Sequence, residues 1–518
     1  MKKITSSLYS FEQLRENNFV YVDKTEYIWN LIDSAPAMYF LSRPRRFGKS
    51  LTVSTLKAFF EGRKELFEGL AIYDKVREWK KYPVIHLALN GRKFYTLEDL
   101  ESSLVQILLR QAEILNIALE QTDSVTMFQN LIWKAKEKGP VVILIDEYDK
   151  PILDNIISPD VQSFLRAVKS FYSVLKENCG DLHFLFITGV TKFCHVSLFS
   201  DLNNLEDITM RAEYATMFGY TQAELEKNFG DRIEATAKKQ NLSADELKTQ
   251  MKVWYDGYCF EENSEKVYNP VSIAKFFEND GKFENYWFAT GTPSFLMALV
   301  KQRDLNFEDV VSKPVSGVAF NAFEIDDIDP VTLLLQTGYL TIKSVERRFN
   351  RPYYRLDFPN EEVAEAFTTY LLNSYVRKTQ REVASFATDL SIAFVDNDLK
   401  QAQKILESFF AGIPYPVHKK SEATFQTIFY AVFRLLGFNI EAESWTNDGR
   451  IDAVVQTEKH IYLFEFKLND DKSALSQIKE KEYFKKFLQS KKPITMIGVT
   501  FDSDKGQISD WKAEDLPM

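Results

Sequence analysis

At 518 residues the chain is too long for one hydrophobic core and implies about three domains. Its 45% hydrophobic and 27% charged composition is that of a globular protein, and 42 Phe and 24 Tyr against few Gly and Pro predict packed helices and strands rather than extensive disorder. A net charge of −10 excludes a uniformly basic chain that coats nucleic acid and leaves only a local basic cleft for such contacts.

Cys179, Cys194 and Cys259 show no CxxC spacing and read as buried thiols of a reducing compartment. Lys2 and Lys3 precede a stretch too polar for a signal-peptide core, and no run approaches the roughly 18 apolar residues that span a bilayer. The expectation is a cytoplasmic protein with no membrane partner.

In chain order, residues 18–24 read as a short strand and turn and residues 27–32 as a helix. This lead-in either covers a nucleotide base or is plain packing. Ala37–Leu41 is an apolar strand feeding the loop Ser42-Arg-Pro-Arg-Arg-Phe-Gly-Lys-Ser50, after which Leu51, Val53, Leu56, Phe59 and Phe60 recur at helical spacing. Gly48-Lys49-Ser50 is the tail of the P-loop pattern GxxxxGK[ST], in which backbone N–H groups cradle phosphates, Lys reaches the β/γ-phosphates and the hydroxyl holds Mg²⁺. Arg43 stands where that pattern has its first Gly.

Residues 82–89 read as a buried strand and 97–119 as a helix. Pro140-Val-Val-Ile-Leu-Ile-Asp-Glu147 is an apolar run without alternation, as a strand buried on both faces of a parallel sheet requires, and it ends in two carboxylates. Ligands sit at the carboxyl ends of such strands. Asp146 would therefore hold Mg²⁺ with Ser50, and Glu147 would orient the attacking water. In a further buried strand, 183–189, Thr188 is either structural or a contact to the γ-phosphate. Strands alternating with helices from 37 to 190 predict an α/β sheet domain.

From about 205 to 410 the chain reads as mostly helical with small β elements, Thr221 and Glu224 forming a capping box at one helix start. The prolines of Gly412-Ile-Pro-Tyr-Pro416 suggest a boundary. Beyond it, Ile461-Tyr-Leu-Phe-Glu-Phe-Lys467 places Glu465 and Lys467 on one face of an apolar strand, costly unless they are paired or bind a metal. The preceding strand 449–455 presents Asp452. Glu422 heads a helical stripe with Phe425, Phe429 and Phe433 and points toward the same sheet. Three carboxylates and a lysine make a hard-cation site for Mg²⁺, with Mn²⁺ also acceptable, that would activate a water at a phosphate. The bland alternative is a Glu465–Lys467 salt bridge. A helix from Ser473 is expected to continue through Lys485 and Lys486, with Gln477 facing the site and the lysines either touching DNA phosphates or solvated.

These strings together resemble a bacterial family of AAA-ATPase-like proteins with an N-terminal P-loop domain and a C-terminal PD-(D/E)xK nuclease-like domain. The likeness rests on Arg43-Pro-Arg-Arg-Phe-Gly-Lys-Ser-Leu51, Tyr21–Thr25, Leu144–Asp149, Thr188–Val190, Tyr268–Pro270, Gly449–Asp452, Phe464–Lys467 and Gln477–Lys479. The resemblance implies domains over 1–205, 206–410 and 415–518, the last a restriction-endonuclease-like α/β fold. It implies an ATP and Mg²⁺ site formed by Arg43, Arg45, Arg46, Phe47, Gly48, Lys49, Ser50, Leu51, Asp146 and Thr188, with Glu147 catalytic. The second site would use Glu422, Asp452, Glu465 and Lys467 to cut nucleic acid, DNA foremost. The rival expectation is a nucleotide-dependent switch or binding module whose nuclease-like domain is inactive. A homo-oligomer is left open, and Arg166 and Arg211 are the arginine-finger candidates if subunits assemble.

Overall fold

The structure is a computed structural model that describes residues 1–33, 37–192, 202, 204–287, 296, 307–320, 329–376, 379–412, 422–436, 439–446, 449–469, 474–502, 505 and 507–517. The side chains of some of these, Glu422, Phe425 and Asp452 among them, are not described. The chain divides into two compact units. The first comprises residues 1–290, 316–354 and 358–362, and the second comprises 291–315, 355–357 and 363–518.

The first unit is built on five parallel strands, β1 (Ala37–Ser42), β2 (Val84–Ala88), β3 (Val141–Asp146), β4 (Leu182–Gly189) and β5 (Leu205–Asp207), in the order β2-β3-β4-β1-β5. All six residues of β3 are buried, as its unalternating apolar sequence requires. Strand β4 lies between the loop-bearing β1 and the acidic β3, so Leu41 pairs with Thr188 and Thr188 with Asp146. Three chain segments far apart in sequence thereby end at one edge of the sheet. Helices α1 (Phe11–Glu16) and α2 (Thr25–Ile32) precede β1 and helix α3 (Lys49–Phe60) follows it, with Val53, Leu56 and Phe60 buried. Helices α4 (Leu97–Ile114), α5 (Ser124–Lys136) and α6 (Val161–Glu177) complete the domain; α4 starts at a Thr96–Asp99 capping box.

The lead-in differs in part from expectation. Residues 25–32 form a helix, but the expected strand before it amounts to one bridge, Lys3 to Phe19. Asp23 explains the turn, because its carboxylate accepts from Thr25 N (2.9 Å), Thr25 Oγ1 (2.6 Å) and Ala71 N (2.8 Å). These side-chain bonds compete with any ladder.

After β5 come α7 (Gln222–Lys239), α8 (Ala244–Tyr255) and α9 (Pro270–Glu278). The capping box expected at Thr221 and Glu224 is present. Leu225, Phe229, Ile233, Leu247, Met251 and Phe276 share one apolar cluster. Helix α10 (Pro330–Thr337) precedes a hairpin of β6 (Thr341–Arg348) and β7 (Arg351–Asp357).

Helix α11 (Glu361–Val376) leads into the second unit, which holds α12 (Gln380–Val395), α13 (Leu399–Ala411) and α14 (Glu422–Leu435). Its mixed sheet comprises β8 (Asn439–Thr446), β9 (Gly449–Gln456), β10 (Ile461–Leu468), β11 (Ile494–Asp502) and β12 (Gln507–Asp515), in the order β12-β11-β10-β9-β8. Only β10 and β11 run parallel. Phe429 and Phe433 of α14 pack on Phe464 and Phe466 of β10, ring centroids 4.0–5.8 Å apart. Each such ring, fully buried, contributes roughly 2–3 kcal/mol.

Helix α15 (Ala474–Glu480) is shorter than the sequence pattern suggests. Glu482 takes a left-handed φ of 49°, which ends the helix, and residues 483–490 continue as 3₁₀ turns. Gly412–Pro416, the expected boundary, lies mostly outside the described residues.

Candidate functional site

The loop after β1 needs left-handed backbone at two residues, Arg46 (φ 68°) and Gly48 (φ 95°). Arg43 is not one of them, and this is why a side chain is tolerated where the pattern has its first glycine. Glycine is needed at position 48, the N-cap of α3, where positive φ combines with open space beside the missing Cβ.

The Arg43 side chain is buried and does not line the cavity beside the loop. Its guanidinium, 1% exposed, donates to Ser42 O (2.9 Å), Thr209 O (2.7 Å) and Tyr214 O (3.1 Å) and lies 4.4 Å from the Phe260 ring centroid. Burial pushes its pKa down to about 9, with Asp207 opposing. Phe47 is likewise buried, edge-on to Tyr258 and Phe260. These two side chains pin the loop to residues 209–260.

Lys49 is buried and donates to Arg43 O and Pro44 O, both at 2.9 Å. Desolvation lowers its pKa, and Glu147, Asp146 and Asp149 oppose that shift. Ser50 Oγ donates to Asp146 Oδ2 at 2.6 Å, and Asn90 Nδ2 reaches the same oxygen at 3.3 Å. Burial pushes the Asp146 carboxyl up to about 6, the Ser50 bond working against it. The other oxygen, Asp146 Oδ1, is buried with no hydrogen-bond partner among the described residues, and so is Thr188 Oγ1 on the next strand. Two unsatisfied buried acceptors side by side cost several kcal/mol unless something fills the space beside them. Glu147 follows at a left-handed φ of 57°, a strained geometry for a glutamate.

A cavity of about 540 Å³ opens beside the loop. Arg45, Arg46, Gly48, Lys49, Ser50 and Glu147 line it. The lead-in residues Tyr9, Tyr21, Val22 and Lys24 and the stretch Met217–Tyr220 line it as well. Arg46 also donates to Tyr286 O. The donor set, with the Lys49 ammonium, the Arg45 and Arg46 guanidinium groups and the Ser50–Asp146 hydroxyl–carboxylate pair, suits a phosphorylated ligand with a bound divalent cation. Arg166 and Arg211 do not line the cavity: Arg166 bonds Ser163 on its own helix and Arg211 pairs with Glu206.

The sequence does not single out Asn90 or Glu362, and Asp149 stands in it only as the end of the string Leu144–Asp149. Asp149, fully buried, accepts from Val190 N (3.1 Å), Thr191 N (2.8 Å) and Thr191 Oγ1 (2.6 Å), fixing the turn that follows Thr188. Asn90 could have been found as the first polar residue past a buried parallel strand. Glu362, also fully buried, accepts from Ser272 Oγ (2.7 Å), Tyr286 N (2.7 Å) and Trp287 N (2.8 Å), and burial pushes it up to about 7. Trp287 Nε1 in turn donates to Arg45 O (3.3 Å), so the carboxylate holds a segment that braces the loop.

In the second unit Glu465 is 2% exposed on β10 and accepts from Gln477 Nε2 of α15. Lys467 Nζ lies 3.7 Å from its Oε1. Glu465 is paired in register with Gly498, where α15 crosses β11 so closely that a Cβ would meet the Leu475 backbone; this approach delivers Gln477 to the carboxylate. Strand β9 runs antiparallel to β10 with Ala453 opposite Phe464, which makes Asp452 and Glu465 the next residues along the two strands. The side chains of Asp452 and Glu422 lie outside the described residues. Lys479 pairs with Glu514 and Lys485 with Glu482.

Residues 6–199 match the family model described as a predicted AAA-ATPase, and residues 420–511 match that of the PD-(D/E)XK nuclease superfamily. A protein of Azotobacter chroococcum mcd 1, described as an uncharacterized protein in the vnfD 5'region, is 35% identical over 527 residues, covering 99% of each chain. No helix among the described residues is long and apolar enough to cross a membrane.

Proposed function

The chain belongs to the family of predicted AAA-ATPases that end in a PD-(D/E)XK nuclease superfamily domain, and from that premise we propose that ATP binding and hydrolysis at the loop 43–51 control metal-dependent cleavage of nucleic-acid phosphodiesters, DNA foremost. The observation that carries the first half is the pair of buried, unpartnered oxygens Asp146 Oδ1 and Thr188 Oγ1 beside Ser50 and Lys49. A divalent cation with its phosphate would supply the missing partners.

When bound, Mg²⁺ supplies Lewis-acid polarisation of the phosphate. Ser50 and Asp146 would hold it, Lys49 would exchange two loop carbonyls for phosphate oxygens, and the N–H groups at the start of α3 would face the same charge. Glu147 would orient and polarise the attacking water. Arg45 and Arg46 complete the phosphate contacts.

At the second site Asp452 and Glu465, with Glu422, would hold Mg²⁺ or Mn²⁺. Gln477 orients Glu465, and Lys467 offsets charge on the scissile phosphate. The rival reading, a nucleotide-dependent binding module, draws support from the same contacts, because Glu465 is held by Gln477 and Lys467 as in a purely structural bridge.

The test is a cleavage assay with Mn²⁺ beside an ATPase assay on the same protein. Asp452→Ala and Lys467→Ala are expected to remove cleavage and spare ATP hydrolysis, whereas Lys49→Ala removes hydrolysis. Single-stranded, duplex and branched DNA and RNA all left intact by the wild type would overturn the nuclease reading, and ATP-dependent nucleic-acid binding unchanged by Asp452→Ala would establish the rival.

A further inference from the structure

Strands β6 and β7 are joined by two residues, Phe349 and Asn350, with φ of 52° and 59°. Two left-handed residues in a two-residue connection form the turn that suits the twist of a hairpin, and it favours Asn, Asp and Gly. Asn350 follows that preference. Phe349 does not: positive φ is a costly conformation for an aromatic residue. Nor does packing compensate, since Phe349 is 97% exposed, more than any other large hydrophobic residue described.

The flanking residues are basic. Arg347, Arg348 and Arg351 are all exposed, against one glutamate, Glu346, in the same stretch, although the chain as a whole carries a charge of −10. Arg347 pairs with Glu262 at 2.6 Å and Arg348 with Glu346 at 2.8 Å, but the two arginine side chains remain 64% and 57% exposed. Such pairs are weak enough to be exchanged for phosphate. Strain, an exposed ring and a basic cluster coincide at one tip, and none of the three stabilises the fold.

We propose that the hairpin tip is a nucleic-acid contact, in which Phe349 stacks on an unpaired or terminal base and Arg347, Arg348 and Arg351 take the flanking phosphates. This rests on the reading that the protein acts on nucleic acid. Aromatic stacking is indifferent to base identity and needs an open base face, so the tip suits single strands, forks and frayed ends over closed duplex. An acidic protein surface would engage the arginines and leave the ring without a role.

The experiment uses the full chain in EDTA, with fluorescein-labelled single-stranded, forked and blunt duplex DNA followed by anisotropy across a salt series, and with a melting curve for each variant. Phe349→Gly is expected to weaken single-strand and fork binding about 5- to 100-fold, to leave the salt slope unchanged, and to keep or raise Tm because glycine accepts positive φ. Arg348→Ala with Arg351→Ala should weaken all three probes and reduce the salt slope by about 1–2. Wild-type binding that Phe349→Gly leaves intact would overturn the proposal while sparing the nucleic-acid reading. Wild-type protein that binds no probe at low salt would overturn both.

Discussion

Asp146 and Glu465 are both buried carboxylates near the carboxyl ends of central strands, 1% and 2% exposed, yet they are held differently. Asp146 takes its bonds from residues at the carboxyl ends of strands of its own parallel sheet, Ser50 in the first turn of the helix after β1 and Asn90 just past β2. Glu465 is approached from outside its sheet, by Gln477 on α15, and along its own strand by Lys467. A site built on loops at one sheet edge can leave room for a large ligand, and a cavity of about 540 Å³ lies there. The Glu465 site lies where α15 crosses its sheet closely enough to exclude a Cβ at Gly498, and in the proposed scheme it takes a metal and one phosphate. The difference makes the first a binding chamber and the second a cutting point in the proposed scheme.

The substitution expected to separate the two regions most sharply is Lys467→Ala, which should lower metal-dependent cleavage by on the order of 10²–10³-fold with ATP turnover unchanged. Equal loss of both activities would mean that the regions are not separable as described. Glu147→Gln acts on the other side: nucleotide stays bound, and phosphate release in single-turnover kinetics slows by about 10²-fold. Retained turnover would remove Glu147 from the reaction and leave its strained backbone without a purpose.

Asp149→Asn probes what positions Thr188 rather than what touches ligand. It replaces an acceptor of three hydrogen bonds with an amide that satisfies only part of the set, at a cost of about 2–3 kcal/mol, read as a lower Tm of the full chain. Glu362 gives the most graded effect. Its folded pKa of about 7 exceeds the unfolded carboxyl value, so the folded state binds the extra proton and stability falls as pH rises from about 4.5 to 7. The loss is at most about 3 kcal/mol, and Glu362→Gln should flatten that window in urea melts at several pH values. A slope unchanged by the substitution would assign it to other groups.

The parts of the fold legible in the sequence are those fixed by local pattern. The unalternating runs of β1, β3, β4 and β10 state their own burial, and Thr221 with Glu224 states a helix start. Arg43 was legible as an oddity and not in its role, because its carbonyl partners at Thr209 and Tyr214 come from more than 160 positions downstream. Glu362 was invisible for the same reason: its partners at 272, 286 and 287 converge only in three dimensions. The stop of α15 at Glu480 had no glycine or proline to announce it, only a left-handed Glu482. At the second site the placement of Glu465 and Lys467 on one face of a strand was readable, and Gln477, expected to face the site, donates to Glu465.

Control of one region by the other is tested most directly by the rate of Mn²⁺-dependent DNA cleavage, with and without ATP, for the wild type and for Lys49→Ala. The account predicts that ATP changes the wild-type rate by at least severalfold and leaves the Lys49→Ala rate where it stands without nucleotide. Cleavage by the wild type at one rate in both conditions would contradict it.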